Sequence, residues 1–180
     1  MADRAGIQVE AMHHGYWRHR HEYDMGLPAE EYWRRVLESR APAADAALIE
    51  SLIDLDVASW TAYREPVWQL AAAARAAGMR TAILSNGVPE IMRRVARDWP
   101  LDEIFDAVIV SCEVGCAKPD QAIFTLTLDR LGVAPADSLF VDDRRENIDA
   151  ARRFGLDTLL FDELEGANAL RRRLESPAQR

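Results

Sequence analysis

Residues 138–161 read SLFVDDRRENIDAARRFGLDTLLF, and the fold is decided there. Ser138-Leu139-Phe140-Val141 is a short apolar strand of the kind that is covered on both faces. Arg145 to Phe154 follows as a helix, with Gly155 in the slot just past its last turn, where a left-handed backbone is wanted. Thr158-Leu159-Leu160-Phe161 is strand again. Strand, helix and strand in quick succession read as one crossover unit whose two strands run parallel.

The same rhythm extends upstream. Pro66 to Ala77 is alanine-rich and helical, closed by Gly78. Thr81 to Leu84 is a buried strand, Pro89 opens a helix, and Ala107 to Ser111 is a strand. Pro119 begins a helix that ends at Leu131-Gly132. The expectation is an α/β domain over residues 63–180 with a doubly wound parallel sheet, Rossmann-like in architecture. Arg171 to Arg180 reads as a frayed terminal helix. Before residue 63 the signals are helical only: Ala11 to Tyr23, Pro28 to Glu38, and Asp45 to Leu55. Residues 1–62 are therefore predicted to be a small helical domain, with Tyr16, Trp17 and Trp33 mainly in its core.

Composition narrows the function. The chain has 180 residues, 49% hydrophobic and 29% charged, with a net charge of −8. That balance is globular, and its sign is wrong for gripping nucleic-acid backbones over a wide surface. No run approaches the roughly 18 apolar residues of a membrane helix. The N-terminus lacks the apolar core of a signal peptide. Two cysteines cannot build a disulfide scaffold. The expected location is the cytoplasm, with neither nucleic acid nor membrane as partner; oligomeric state cannot be read from the sequence.

In a doubly wound sheet the ligand crevice lies beyond the carboxyl ends of the strands. After Leu84 comes Ser85-Asn86-Gly87, a hydroxyl followed by a turn whose amides can cradle an anion. After the strand at 107–111 comes Lys118, an ammonium just before a helix. After Val141 comes the adjacent pair Asp142-Asp143. Two carboxylates beside a phosphate would repel it unless a divalent cation intervened, and Mg²⁺ favours such hard oxygen ligands. Neither G-x-G-x-x-G nor a Walker-type phosphate loop occurs. Singly, each feature reads as a turn hydroxyl, a solvated cation or a helix cap; three on the ends of strands of one sheet argue for a site.

These residues resemble the haloacid dehalogenase-like (HAD) hydrolase superfamily. Ile83-Leu84-Ser85-Asn86-Gly87 is similar to its second motif, Ala117-Lys118-Pro119-Asp120 to its third, and Phe140-Val141-Asp142-Asp143 to its fourth. The continuation through Asn147, Ala151 and Phe154-Gly155 also follows the family. The likeness is strong over residues 63–180, and residues 1–62 resemble the family's inserted cap. It implies that Ser85, with Asn86 and Gly87, binds a phosphoryl group. It further implies that Lys118 steadies that group and the nucleophile, that Asp142 and Asp143 hold Mg²⁺, and that Asn147 orients their loop. The acid pair, where dehalogenating relatives carry small hydroxyl residues, points to a phosphatase acting on a small phosphorylated metabolite, a phosphoric monoester.

One departure stands out. The family's nucleophile is an aspartate in a D-x-D motif after a first, central strand. Only Asp54-Leu55-Asp56 has that form before Ser85, and its surroundings, Leu48 to Ile53 interrupted by Glu50 and Ser51, fit a helix better than a buried strand. The expected α/β domain thus lacks its first strand, leaving a gap between the strands ending at Leu84 and Val141. The alternatives to an active hydrolase are a truncated gene product and a catalytically inactive binding or regulatory protein. His13, His14, His19 and His21 lack the three- or four-residue spacing of helix-borne metal ligands and read as a surface helix. Cys112 and Cys116 lack accompanying histidines; Cys116, near Lys118, reads as a packed thiol. Arg144 and Arg145 read as solvent-exposed.

Overall fold

The computed structural model describes residues 1–37, 44–61 and 65–175. In chain order the elements are α1 (Ala2–Ala5), α2 (Val9–Asp24), α3 (Ala29–Leu37), α4 (Ala46–Trp60), α5 (Glu65–Ala76), β1 (Ala82–Ser85), α6 (Pro89–Asp98), α7 (Leu101–Ile104), β2 (Ala107–Val110), α8 (Ser111–Val114), α9 (Gln121–Leu131), β3 (Leu139–Asp142), α10 (Arg145–Phe154), β4 (Asp157–Leu160) and α11 (Gly166–Glu175). The predicted helix end at Glu38, the boundary between residues 62 and 63, and the tail beyond residue 175 lie outside the described residues. No helix among the described residues is long and apolar enough to cross a membrane.

The chain forms two compact units. The first comprises Met1–Tyr63, Asn86–Trp99 and Val110–Gly115. Its core is aromatic: Tyr23, Tyr32 and Trp33 are almost wholly buried beside Val36, Leu37 and Leu52. Tyr23 and Tyr32 stack with ring centroids 4.1 Å apart, a geometry that adds to their area burial. The Tyr32 hydroxyl donates to the carbonyl of Tyr16 at 2.9 Å, so the ring is buried without stranding its polar end. Helix α4 begins as its sequence dictates, with the Asp45 carboxylate accepting the Leu48 N–H at 2.8 Å. Of the three aromatics expected mainly in the core, Tyr16 and Trp33 are buried and Trp17 is 45% exposed.

The second unit comprises Arg64–Ser85, Pro100–Ile109 and Cys116–Arg180. Strands β3 and β4 are parallel, with Leu139 opposite Asp157 and Asp142 opposite Leu160. Phe124 of α9 packs edge-on against Phe140 of β3 at 5.3 Å and stacks on Phe154 of α10 at 6.1 Å. Ile123 and Ile148 complete this core. Strands β1 and β2 form a second pair, so among the described residues the sheet is divided into two two-stranded ladders. The entries to β1 and β2 are tied at Asp106, whose carboxylate accepts the Thr81 N–H at 2.9 Å and whose own N–H donates to the Thr81 carbonyl at 2.8 Å.

Several boundaries differ from the sequence expectation, most strand ends by one residue, and helix α4 runs on to Trp60. Ser111 opens α8 and does not end β2. Helix α9 starts at Gln121, with Asp120 at its N-cap position, two residues beyond Pro119. The terminal helix is ordered from Gly166, upstream of the expected frayed segment.

Candidate functional site

Lys118 is the centre of the rim in the second unit. Its ammonium donates to the carbonyl of Leu84 at 2.8 Å and to Asp142 Oδ2 at 2.7 Å. One charged group therefore meets the ends of β1 and β3, strands that do not pair with each other. The ion pair is shielded, with side-chain exposures of 10% for Lys118 and 5% for Asp142. Such a pair is retained only where further hydrogen bonds satisfy its remaining atoms. They do: Asp142 Oδ1 accepts the Arg144 N–H at 2.8 Å and the Asn147 Nδ2–H at 3.0 Å. Asn147 is buried, and its Oδ1 has no hydrogen-bond partner. Asp143 is exposed on the same loop. Ser85, half-buried, is the last residue of β1, immediately after the carbonyl that Lys118 holds.

Asn86 and Gly87 continue the chain into the first unit. The Gly87 N–H donates to Ser111 Oγ at 3.1 Å, and the Ser111 hydroxyl donates to the carbonyl of Asp24 at 2.5 Å. The Gly87 amide, expected to face an anion, is thus engaged inside the protein. Ser111 is a functional candidate that sequence reading passed over as a strand end. Its signal is a hydroxyl residue at a strand terminus, the same signal that singles out Ser85.

The donor chemistry at 142–147 suits a hard divalent cation. Adjacent carboxylates and an orphaned amide oxygen, Asn147 Oδ1, are all oxygen ligands. No group of three or more His, Cys, Asp or Glu side chains able to hold a metal occurs among the described residues. A Mg²⁺ ion would therefore depend on Asp142 and Asp143, with its other positions open to water and phosphate oxygens, as is usual for this ion.

The remaining candidates fall elsewhere. Asp54 and Asp56 both lie on helix α4, in the first unit; Asp54 is exposed, whereas Asp56 is buried and accepts the Tyr16 hydroxyl at 2.7 Å. Burial pushes the Asp56 carboxyl above the usual carboxylate range, with the Tyr16 hydroxyl and the Arg20 guanidinium opposing. Asp54 and Asp56 are thus helical, as their surroundings predict, and Asp56 is part of a buried network. Arg20 extends that network, its Nε 2.8 Å from Asp24 Oδ1. His13, His14 and His21 are exposed, in keeping with a surface helix. Burial raises the thiols of Cys112 and Cys116 above their ordinary value, so neither is activated. Arg144 is exposed and paired with Glu146 at 2.7 Å.

The profile of haloacid dehalogenase-like hydrolases matches residues 2–155. An (S)-2-haloacid dehalogenase of a Pseudomonas species is 36% identical over 104 residues, 58% of this chain and 45% of that protein. A phosphoserine phosphatase of Thermus thermophilus is 36% identical over 92 residues, 51% of this chain and 37% of that protein. The chain thus spans less than half the length of either relative. Among solved structures, a HAD family enzyme of Bacteroides thetaiotaomicron in its magnesium complex superimposes with a TM-score of 0.72, at 17% identity, over 92% of this chain and 91% of that one.

Proposed function

Because the chain belongs to the haloacid dehalogenase-like hydrolase family, we propose that it is a phosphatase-type member, hydrolysing a small phosphorylated metabolite with Mg²⁺ in the cytoplasm, with the family's aspartate nucleophile motif missing from this sequence. The observation that carries this reading is Lys118, placed 2.7 Å from Asp142 and 2.8 Å from the carbonyl that precedes Ser85. The Lys118 ammonium ties the end of β1, where Ser85 stands, to Asp142 at the end of β3, which supports a shared site. The phosphoserine phosphatase relative supports a phosphate ester as substrate.

In this reading Ser85 and Asn86 donate to the phosphoryl oxygens, and Lys118 stabilises the charge that develops on them. Gly87 shapes the turn. Asp142 and Asp143 hold Mg²⁺, which supplies charge neutralisation at the transferred group. Asn147 keeps the Asp142 carboxylate aimed by its 3.0 Å hydrogen bond. Residues 1–62 act as the cap that sets substrate choice.

The second reading is a protein that binds phosphate and cation without turnover. It is favoured by Asp54 and Asp56 standing on helix α4, not at the end of a strand. Hydrolysis of a generic aryl phosphate with Mg²⁺ separates the two. Turnover by the wild-type chain, lost in Asp142→Asn and Lys118→Ala, is the expected result. Phosphate binding without turnover selects the second reading, and no binding at all rejects both.

A further inference from the structure

We propose that Ser111 is a positioning residue: its buried hydroxyl sets the Asn86–Gly87 peptide, and with it the turn that follows Ser85. The inference rests on the reading of residues 85–87 as an anion turn, and goes beyond it in assigning the control of that turn to a residue far along the chain.

Ser111 has no solvent exposure, and Gly87 is buried beside it. A serine hydroxyl offers one proton and accepts through its lone pairs, and both capacities are used here. The proton is committed to the carbonyl of Asp24 at 2.5 Å. Oγ can then only accept from the Gly87 N–H, which it does at 3.1 Å. The direction of both bonds is fixed by chemistry as well as by distance. Asp24 is the last residue of α2, where carbonyls lack helical partners. Gly87 stands just before Val88, the N-cap residue of α6, which is fully buried. The hydroxyl therefore joins the end of α2 to the turn before α6, and losing it would take from the buried Gly87 N–H the bond it makes in a dry site.

The consequence reaches the anion. The Gly87 amide cannot swing toward a phosphate without breaking a buried bond. The turn must present its charge through Ser85 and Asn86, with the next peptide plane locked behind them. A preformed turn meets its ligand without the entropy loss of ordering, so removing the lock should weaken binding without removing any group that touches the anion.

The experiment compares wild type, Ser111→Ala and Ser111→Cys, using inorganic phosphate with Mg²⁺ as the probe. Hydrogen exchange at the Gly87 amide and phosphate affinity by titration calorimetry are read on each. In Ser111→Ala, Gly87 exchange should accelerate and phosphate affinity should fall, each by about tenfold, as expected for one lost buried bond. Ser111→Cys, which keeps a weak donor and acceptor at similar volume, should lie between. It also serves as the test protein if the alanine variant does not fold. Phosphate binding by either folded variant equal to wild type, with Gly87 protection lost, overturns the positioning role. If Gly87 remains protected in the variants, the bond itself is overturned. A wild-type chain that takes up no phosphate while Gly87 stays protected rejects the anion reading of the turn, and the positioning role with it.

Discussion

Lys118 is a flexible point charge whose donors can be shared among acceptors in different directions. It uses that freedom to hold a backbone carbonyl of one strand and a carboxylate of another. Lys118→Met would keep most of the stem and remove the charge, leaving Asp142 buried without its counter-ion. Breaking a shielded pair in this way costs about 3–5 kcal/mol. In a chain of this size that corresponds to a drop of roughly 10 °C in Tm. Lys118→Arg should recover only part of the loss, because a planar fork cannot occupy the same point between carbonyl and carboxylate. Thermal melts followed by circular dichroism check both variants; a methionine variant melting within about 1 °C of wild type would show that the pair contributes nothing to stability.

At the scale of the element, the packing of α2 on α3 turns on Gly15. A Cβ built there would lie 2.6 Å from the backbone carbonyl oxygen of Val36, which cannot move as a side-chain tip can. Gly15→Ala would gain up to about 1 kcal/mol of helix propensity. The steric clash should outweigh it and leave the variant destabilised by about 1–3 kcal/mol, measured by urea unfolding. A variant more stable than wild type would mean that the two helices separate at little cost. Nothing in the local pattern announces this glycine, because close approach of two helices is a property of the pair. The strands and most helices were legible, since apolar runs and Gly155-type stops act within a few residues. So was the acid pair with its lysine: Asp142 ends β3 and Asp143 follows it, while Lys118 lies in the connection between β2 and α9. The division of the sheet into two ladders answers the gap expected between the strands ending at Leu84 and Val141. The bonds of Ser111 to Asp24 and Gly87 were not legible. They depend on groups brought together from distant positions, 87 residues apart for Ser111 and Asp24. The network around Asp56 escaped for the same reason: Tyr16 supplies its hydrogen bond from 40 residues away.

At the scale of the whole molecule, the two units respond to acid through carboxylates of opposite character. In the first, burial holds the Asp56 carboxyl above its ordinary range. The folded form prefers this group protonated, so its contribution is fully present below the unfolded carboxyl value, about 4, and is lost as pH rises through the raised folded value. In the second unit, the Thr81 N–H and the Arg80 guanidinium, with Arg75 beyond it, hold Asp106 below its ordinary range. Its contribution is present above about 4 and is lost as pH falls through the lowered folded value. Asp56→Asn and Asp106→Asn should therefore tilt in opposite directions when Tm is measured against wild type from pH 3 to pH 7. The Asp106→Asn deficit should be largest at pH 7 and shrink toward acid, as the wild type loses the contacts that the variant already lacks. The Asp56→Asn difference should move the other way, becoming more favourable to the variant as pH rises and the wild type must carry a buried charge. Two difference curves that run parallel would mean that neither environment perturbs its carboxylate in the sense that burial and neighbouring donors require.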